Sequence, residues 1–319
     1  MSLIIRNTTV LPGKNKKGIL ERILSDPQLF LMSLPGVAFF IIFSYFPLYG
    51  ILIAFKDYNI RDGILGSPWN GFKNFEFYFK SDFFWRTTFN TIYLNFLFIS
   101  VGVILAATLA ILLNEIRSGL MKRIFQSAMF FPYFLSWIVI SSFVYNFLSQ
   151  DYGSLNAVLK SLGLEPVAWY SKAEIWRGIL TFINTWQSVG YSIIIYMATI
   201  VSIDVGIIEA ARIDGANKLQ EILYITIPYL IPTIIIMVLL AIGRIFYGNF
   251  DMIYNIIQDN GVLMPMTDII DTYVFRGMRV QGEFGMATAV GLYQSVLGCI
   301  LVIISNKLAK LYDKNAGLF

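Results

Sequence analysis

Long apolar runs alternate with short polar stretches along this chain. Six runs reach the roughly 20 residues that a bilayer-crossing helix needs. They are Leu29–Phe55, Phe89–Leu113, Ile124–Leu148, Ala173–Ile203, Ile227–Phe246 and Phe284–Ala309, here spans 1 to 6. Pro35 and Pro47 predict a kinked span 1, and Pro132 lies inside span 3. The pattern predicts an all-α integral membrane protein with six transmembrane helices. Lys56–Thr88 is rich in aromatics (Trp69, Phe72, Phe75, Phe77, Tyr78, Phe79, Phe83, Phe84, Trp85). These suit an interface belt or loop packing better than a carbohydrate-stacking face. Tyr247–Glu283 reads as a mixed polar loop, and its Asp251, Asp259, Asp268 and Asp271 as a solvated face.

Six spans put both termini on one side. The N-terminus, the turn at 114–123, the stretch after span 4 and the tail are short and locally basic, which favours cytoplasmic termini. Residues 1–28 form a cytoplasmic segment, with Ile19–Leu24 as a short interfacial helix. Residues 29–313 form the six-span domain, and 314–319 a cytoplasmic tail. The first apolar run starts only at Leu29 and is too long for a signal peptide, so it reads as an uncleaved span.

Composition narrows the chemistry. The 319 residues are 57% hydrophobic and only 14% charged, and the mean hydropathy is +0.66. There is no histidine, which removes His-ligated metals and histidine-based triads. The single cysteine, Cys299, cannot form an intrachain disulfide and reads as a small buried apolar residue. The net charge of +4 is scattered and suggests no nucleic-acid partner. A membrane enzyme would want paired carboxylates, a metal set or a nucleophile with its base, and none is evident. An ion-coupled secondary carrier would want acids within the spans, whose cores hold essentially none. No phosphate-cradling glycine loop is present, so the chain does not itself hydrolyse ATP. No cofactor and no metal are expected, and the chain reads as a non-catalytic subunit.

The polar stretch Glu209–Pro232 stands out. Asp204 can cap a helix starting near Val205. Glu209, Ala210 and Ala211 favour helix, and the alanines leave a small smooth surface. Glu209 and Arg212 are neighbours on that helix. Gly215 suits a left-handed C′ position. Asn217 and Gln220 resemble a capping box for a second short helix. Pro228 falls at the start of span 5, where a missing N–H does no harm.

These residues resemble the signature loop of ABC-importer permeases: Glu-Ala-Ala, three residues, Gly, nine residues, Ile, one residue, Leu-Pro. Glu209, Ala210, Ala211, Gly215, Ile225 and Pro228 match in register, with Ile227 where Leu is usual. Asp214-Gly215-Ala216 matches the extended sugar-permease form. The resemblance covers roughly Leu29 to Asp313 and is nearest to maltose-type carbohydrate permeases that import oligosaccharides, including uronate-containing ones. It implies that the loop at 204–228 is a coupling helix seated on a cytosolic ATPase, with Glu209, Ala210, Ala211, Arg212, Asp214, Gly215, Ile225 and Pro228 as coupling residues. It also implies a second homologous permease, a dimer of cytosolic ABC ATPase subunits, an extracellular solute-binding lipoprotein, an oligosaccharide substrate and a bacterial cell membrane. A permease for a non-sugar solute is the alternative.

Span 4 carries a polar stripe, Asn184, Gln187, Ser188 and Tyr191, extended by Thr181. Polar residues inside a membrane face protein or a wet cavity. A substrate path and ordinary helix–helix hydrogen bonding both fit. Asn184-Thr185-Trp186 resembles the sugar-lining segment of maltose-type permeases, and Phe246 with Asn249-Phe250 resembles their second one. Gln187 and Ser188 depart from that pattern, and in that family only one of two permeases need line the site. Arg244, near the outer part of span 5, suits a uronate carboxylate, or equally the interface or backbone carbonyls.

Overall fold

The computed structural model describes residues 27–312, which leaves the Ile19–Leu24 helix and the 314–319 tail outside. Among the described residues it is helical apart from an isolated bridge between Lys56 and Trp69. The chain divides into two units, Met1–Ile51 and Leu52–Phe319. In the first, α1 (Pro27–Phe40) carries Pro35 without a break and passes into a π turn at Ile41–Tyr45. A 3-10 segment, Phe46–Phe55, follows. Proline removes an N–H and its ring collides with the carbonyl four residues back. For Pro47 that residue is Phe43, inside the π turn, where the bonding pattern is already shifted by one residue.

In the second unit a short helix, α2 (Lys73–Phe79), precedes α3 (Asp82–Glu115). Then come α4 (Gly119–Phe130), α5 (Trp137–Leu148), α6 (Ser154–Ser161) and α7 (Ala173–Val201). α8 (Val205–Ile213) and α9 (Lys218–Glu221) follow; a second π turn, Ile222–Thr226, leads into α10 (Ile227–Ile242). The remainder is α11 (Phe250–Ile257), α12 (Met264–Thr267), α13 (Ile270–Arg279) and α14 (Phe284–Tyr312).

α3 and α7 form the spine. Leu94 and Phe98 meet Trp176, Leu180 and Ile183, whereas Ala106, Ala110 and Leu113 meet Val189, Ile193, Tyr196 and Ile200. The contacts advance together along both helices, so the two run parallel. The fully buried Ala106 and Ala110 let the backbones approach, as membrane helix pairs require. Gly190 does the same against α4: a Cβ there would lie 2.2 Å from the Met129 carbonyl oxygen.

By length and composition four helical stretches can cross a membrane, Phe30–Phe55, Asp82–Glu115, Lys218–Ile242 and Phe284–Leu308, and two bent pairs raise the number to six. These six correspond to the six apolar runs, with three corrections. Span 3 is not continuous: α4 and α5 meet at 99° across a 3-10 turn, Phe131–Phe134. Pro132 ends one helix and Ser136 caps the next by accepting from the Val139 N–H. The helix of span 5 begins at Lys218 and stops at Ile242, short of Phe246. Tyr247–Glu283 is not a loop but contains α11 and α13, whose Met252, Ile253, Ile256, Ile257 and Ile270 are core residues.

Two smaller readings also change. Cys299 is exposed on α14 rather than buried. Of the aromatic set, Tyr78 is buried, with its hydroxyl 2.9 Å from Thr87, while Trp69, Phe72, Phe77 and Trp85 are exposed.

Candidate functional site

Two arrangements carry the polar chemistry, one at each region where the helices are interrupted. The first follows α7. Asp204 caps α8 by accepting from the Gly206 N–H at 2.8 Å. α8 turns 67° from α7, which lays it across the end of the spine. It ends in a Schellman motif: Gly215 has φ +87°, its N–H bonds the Arg212 carbonyl, and the Ala216 N–H bonds the Ala211 carbonyl at 2.9 Å. Only glycine adopts that φ without strain. The next helix opens on a complete capping box between Asn217 and Gln220, at 3.0 and 2.8 Å. It then runs through the π turn into α10 instead of forming a separate short helix. Pro228, like Pro47, lies four residues after a π-turn residue, here Tyr224.

Glu209, Ala210, Asp214 and Pro228 are exposed, and Ala211 and Ile225 half-buried. Ala211, Asp214, Gly215 and Ile225 share the wall of a depression of about 360 Å³. Arg212 donates to Glu221 at 2.7 and 3.2 Å. Lys218 bridges Glu221 at 2.8 Å to Glu115, at the end of α3, at 3.1 Å. The hydrogen bonds from Arg212 and Lys218 pull the Glu221 carboxyl down to about 2. Glu221 in turn raises Arg212 and Lys218 above their ordinary values. The segment after α7 is thus tied to the far end of α3.

The second arrangement is built where α10 stops. Residues 243–249 lack regular helix, yet their backbone groups find partners on three other helices. Asn95 on α3 donates to the Ile245 and Tyr247 carbonyls at 2.8 and 3.1 Å. Gln294 on α14 donates to the Phe246 carbonyl at 2.6 Å. Asp271 on α13 accepts from the Gly248 N–H at 2.8 Å and from Gln294 at 3.1 Å. At Gly248 a Cβ would lie 2.3 Å from Ile269 and 3.1 Å from the Asp271 carboxylate. Irregular backbone inside an apolar layer persists only when paired in this way.

This turn presents Asn249 to α7. Its Nδ2 donates to Asn184 Oδ1 at 3.1 Å, while its Oδ1 caps α11 through the Met252 N–H. Gln187 reaches the Tyr133 carbonyl at 3.3 Å, and Tyr191 stacks on the Tyr133 ring at 5.3 Å. Ser188 bonds back to the Asn184 carbonyl. The polar stripe of span 4 therefore faces both interrupted elements, the α4–α5 break and the α10–α11 turn. Amides and aromatic rings converge there, a set that suits hydroxyl-rich ligands. Phe246 is half-buried beside Tyr78 and Tyr273. Arg244 is exposed and has no side-chain partner among the described residues.

Asp268 and Asp271 are not solvated. The Asp268 side chain is fully buried, with Arg276 at 2.7 Å, Arg86 at 3.3 Å and the Thr272 hydroxyl at 2.8 Å. Asn90 binds the Pro265 and Asp268 carbonyls, and Arg177 binds Asn90 at 2.8 Å while lying over the Tyr93 ring. Sequence reasoning missed this network. Its available signal was the set of polar residues at the starts of spans 2 and 4, Arg86, Asn90 and Arg177, which nothing else explains.

A bundle of long apolar helices interrupted by polar turns is the architecture of a multi-pass membrane protein. Residues 99–314 match the family of binding-protein-dependent transport system inner membrane components, and the chain belongs to it. It is 34% identical over 308 residues to the polygalacturonan/rhamnogalacturonan transport system permease protein YteP of Bacillus subtilis, covering 97% of this chain and 95% of that one. It is 35% identical to protein LplB of the same organism, covering 98% of each. A chain in the crystal structure of a bacterial alginate ABC transporter, in complex with alginate pentasaccharide-bound periplasmic protein, superposes with a TM-score of 0.84. That chain is 30% identical, and the match covers 93% of this chain and 99% of that one.

Proposed function

We propose that this chain is one of two permeases of an ATP-driven importer and passes an oligosaccharide through the cell membrane. An extracellular solute-binding protein delivers the sugar, and a separate cytosolic ATPase docks on the Glu209–Pro228 segment. The termini and that segment then lie in the cytoplasm. The observation that carries the reading is the contact of Asn184 with Asn249. It joins an amide of α7 to the turn after α10, on the same two elements that leave the membrane around α8. Motion of α8 is thereby linked to the polar path: the Schellman turn and the Arg212–Glu221 bond make α8 and the start of α10 a stiff unit. Glu209, Ala210, Ala211, Asp214 and Ile225 form the docking face. Asn184, Gln187, Ser188, Tyr191, Phe246 and Asn249 line the path, and Arg244 stands free for an acidic sugar. The names of the relatives, polygalacturonan/rhamnogalacturonan and alginate transporters, support an oligosaccharide that contains uronate.

The test is uptake in cells expressing the chain with a second permease, an ATPase and a solute-binding protein. Radiolabelled oligogalacturonides, rhamnogalacturonan fragments and alginate fragments are offered beside amino acids and peptides. At least one oligosaccharide accumulates in an ATP-dependent manner, and N184L abolishes this while the protein level is unchanged. Uptake of a non-sugar solute alone would overturn the reading.

A further inference from the structure

α11 is amphipathic in a way that the path described above does not use. Met252, Ile253, Ile256 and Ile257 are buried at 0–3% exposure. Asp251, Tyr254 and Asn255, at i, i+3 and i+4, lie on the opposite, more open face, and the exposed Gln258 follows the last turn. The helix starts at Asn249, which touches Asn184, and ends about 12 Å further on. At that far end a cavity of about 480 Å³ opens between α5, the 169–171 turn and the end of α11. Tyr145, Tyr170, Asn255 and Gln258 line it. The Tyr145 and Tyr170 rings stand 6.1 Å apart at 55°, and Asn260 fixes the Tyr170 carbonyl at 3.0 Å.

Gln258 has φ 54° and ψ −142°, and among the described residues it is the one non-glycine with positive φ. Such strain persists where surrounding structure holds it, often at a ligand site. Here it sets on the cavity wall a side-chain amide that has no partner among the described residues.

We propose that this cavity is a second carbohydrate subsite, at the mouth of the path, which holds a neutral, hydroxyl-rich sugar unit of an oligosaccharide. The inference rests on the oligosaccharide reading above. Tyrosine rings stack on apolar sugar faces, and amides bond hydroxyls in both directions. Asp259 on the cavity wall accepts from hydroxyls and repels a carboxylate, which assigns the neutral unit to this end. A disaccharide engaged at Asn184 and Asn249 does not reach a site a full helix away, whereas a chain of several units does. The subsite therefore sets a preference for length.

The experiment compares uptake of a disaccharide with that of a tetrasaccharide or longer fragment of the same series. The variants are Y145A and Q258G in the full transporter. Glycine keeps the positive φ at 258 while removing the side chain with its amide, so misfolding does not explain its effect. Both variants raise the KM for the long fragment about tenfold, the worth of one good polar contact, and leave disaccharide uptake unchanged. Equal loss at both lengths marks the cavity as a protein contact and overturns the subsite, as does no loss at either. Failure of the wild type to import any oligosaccharide overturns the proposed function and the subsite with it.

Discussion

The segment after α7 and the turn after α10 both interrupt long apolar helices, but they satisfy their polar groups by different means. In the first, the polar side chains are mostly exposed: Arg212 is 52% and Lys218 55% open. Caps, a glycine turn and neighbouring charges supply the partners, and every partner except Glu115 lies within about a dozen residues. In the second, the partners are Asn95, Asp271 and Gln294, drawn from three helices. Asp268 likewise binds one distant cation, Arg86 of α3, beside the nearer Arg276 of α13. The difference teaches where stability and function part. A surface network can be altered with little effect on folding, because water replaces each lost partner. A buried one leaves an unpaired charge or amide when a partner is removed.

The largest effect on the fold is expected at Asp268. D268A leaves Arg86 and Arg276 facing a buried gap and costs about 3–5 kcal/mol. Thermal denaturation of the purified protein reads this as a collapse in folded yield or a large drop in Tm. A change as small as that of a surface variant would show that water reaches this network. Next comes N95L, which orphans the part-buried Ile245 carbonyl, leaves the more open Tyr247 carbonyl to water, and costs about 1 kcal/mol. It also displaces Asn249, so uptake falls more than stability does.

The two regions were unequally legible in the sequence, for the same reason. The Asp204 cap, the Gly215 turn and the Asn217–Gln220 box follow from residues a few positions apart, and all are found. The Asn90–Asp268 and Asn95–Ile245 contacts join residues 178 and 150 positions apart, which leaves no periodic trace. For that reason Tyr247–Glu283 reads as a polar loop although it contributes core. The α4–α5 break was marked by Pro132, but proline alone does not tell a kink from a 99° turn.

The smallest effect on stability is expected at Glu221. The Glu221 carboxylate is buried at 6% exposure, but its partners Arg212 and Lys218 are half-open and regain water when E221Q removes the charge. Tm therefore falls by less than in D268A or N95L, while the tie from α8 to α3 loosens and transport weakens. The Glu221 carboxyl is depressed from 4.5 to about 2. Its contribution is therefore complete above its ordinary range and is lost only as pH falls toward 2. Thermal unfolding of wild type and E221Q then differs by a constant amount at neutral pH, and the curves converge in strong acid. Divergence on acidification would contradict the assigned pairing.

The central claim is that α8 is the face on which an ATPase seats. The direct measurement is site-specific cross-linking in membranes, in a C299S background with single cysteines A211C on α8 and S81C at the opposite end of α3. The account predicts a cross-link from A211C to the ATPase subunit of the assembled transporter that changes in yield when ATP is added, and none from S81C. A cross-link from S81C to the ATPase, with none from A211C, would contradict it.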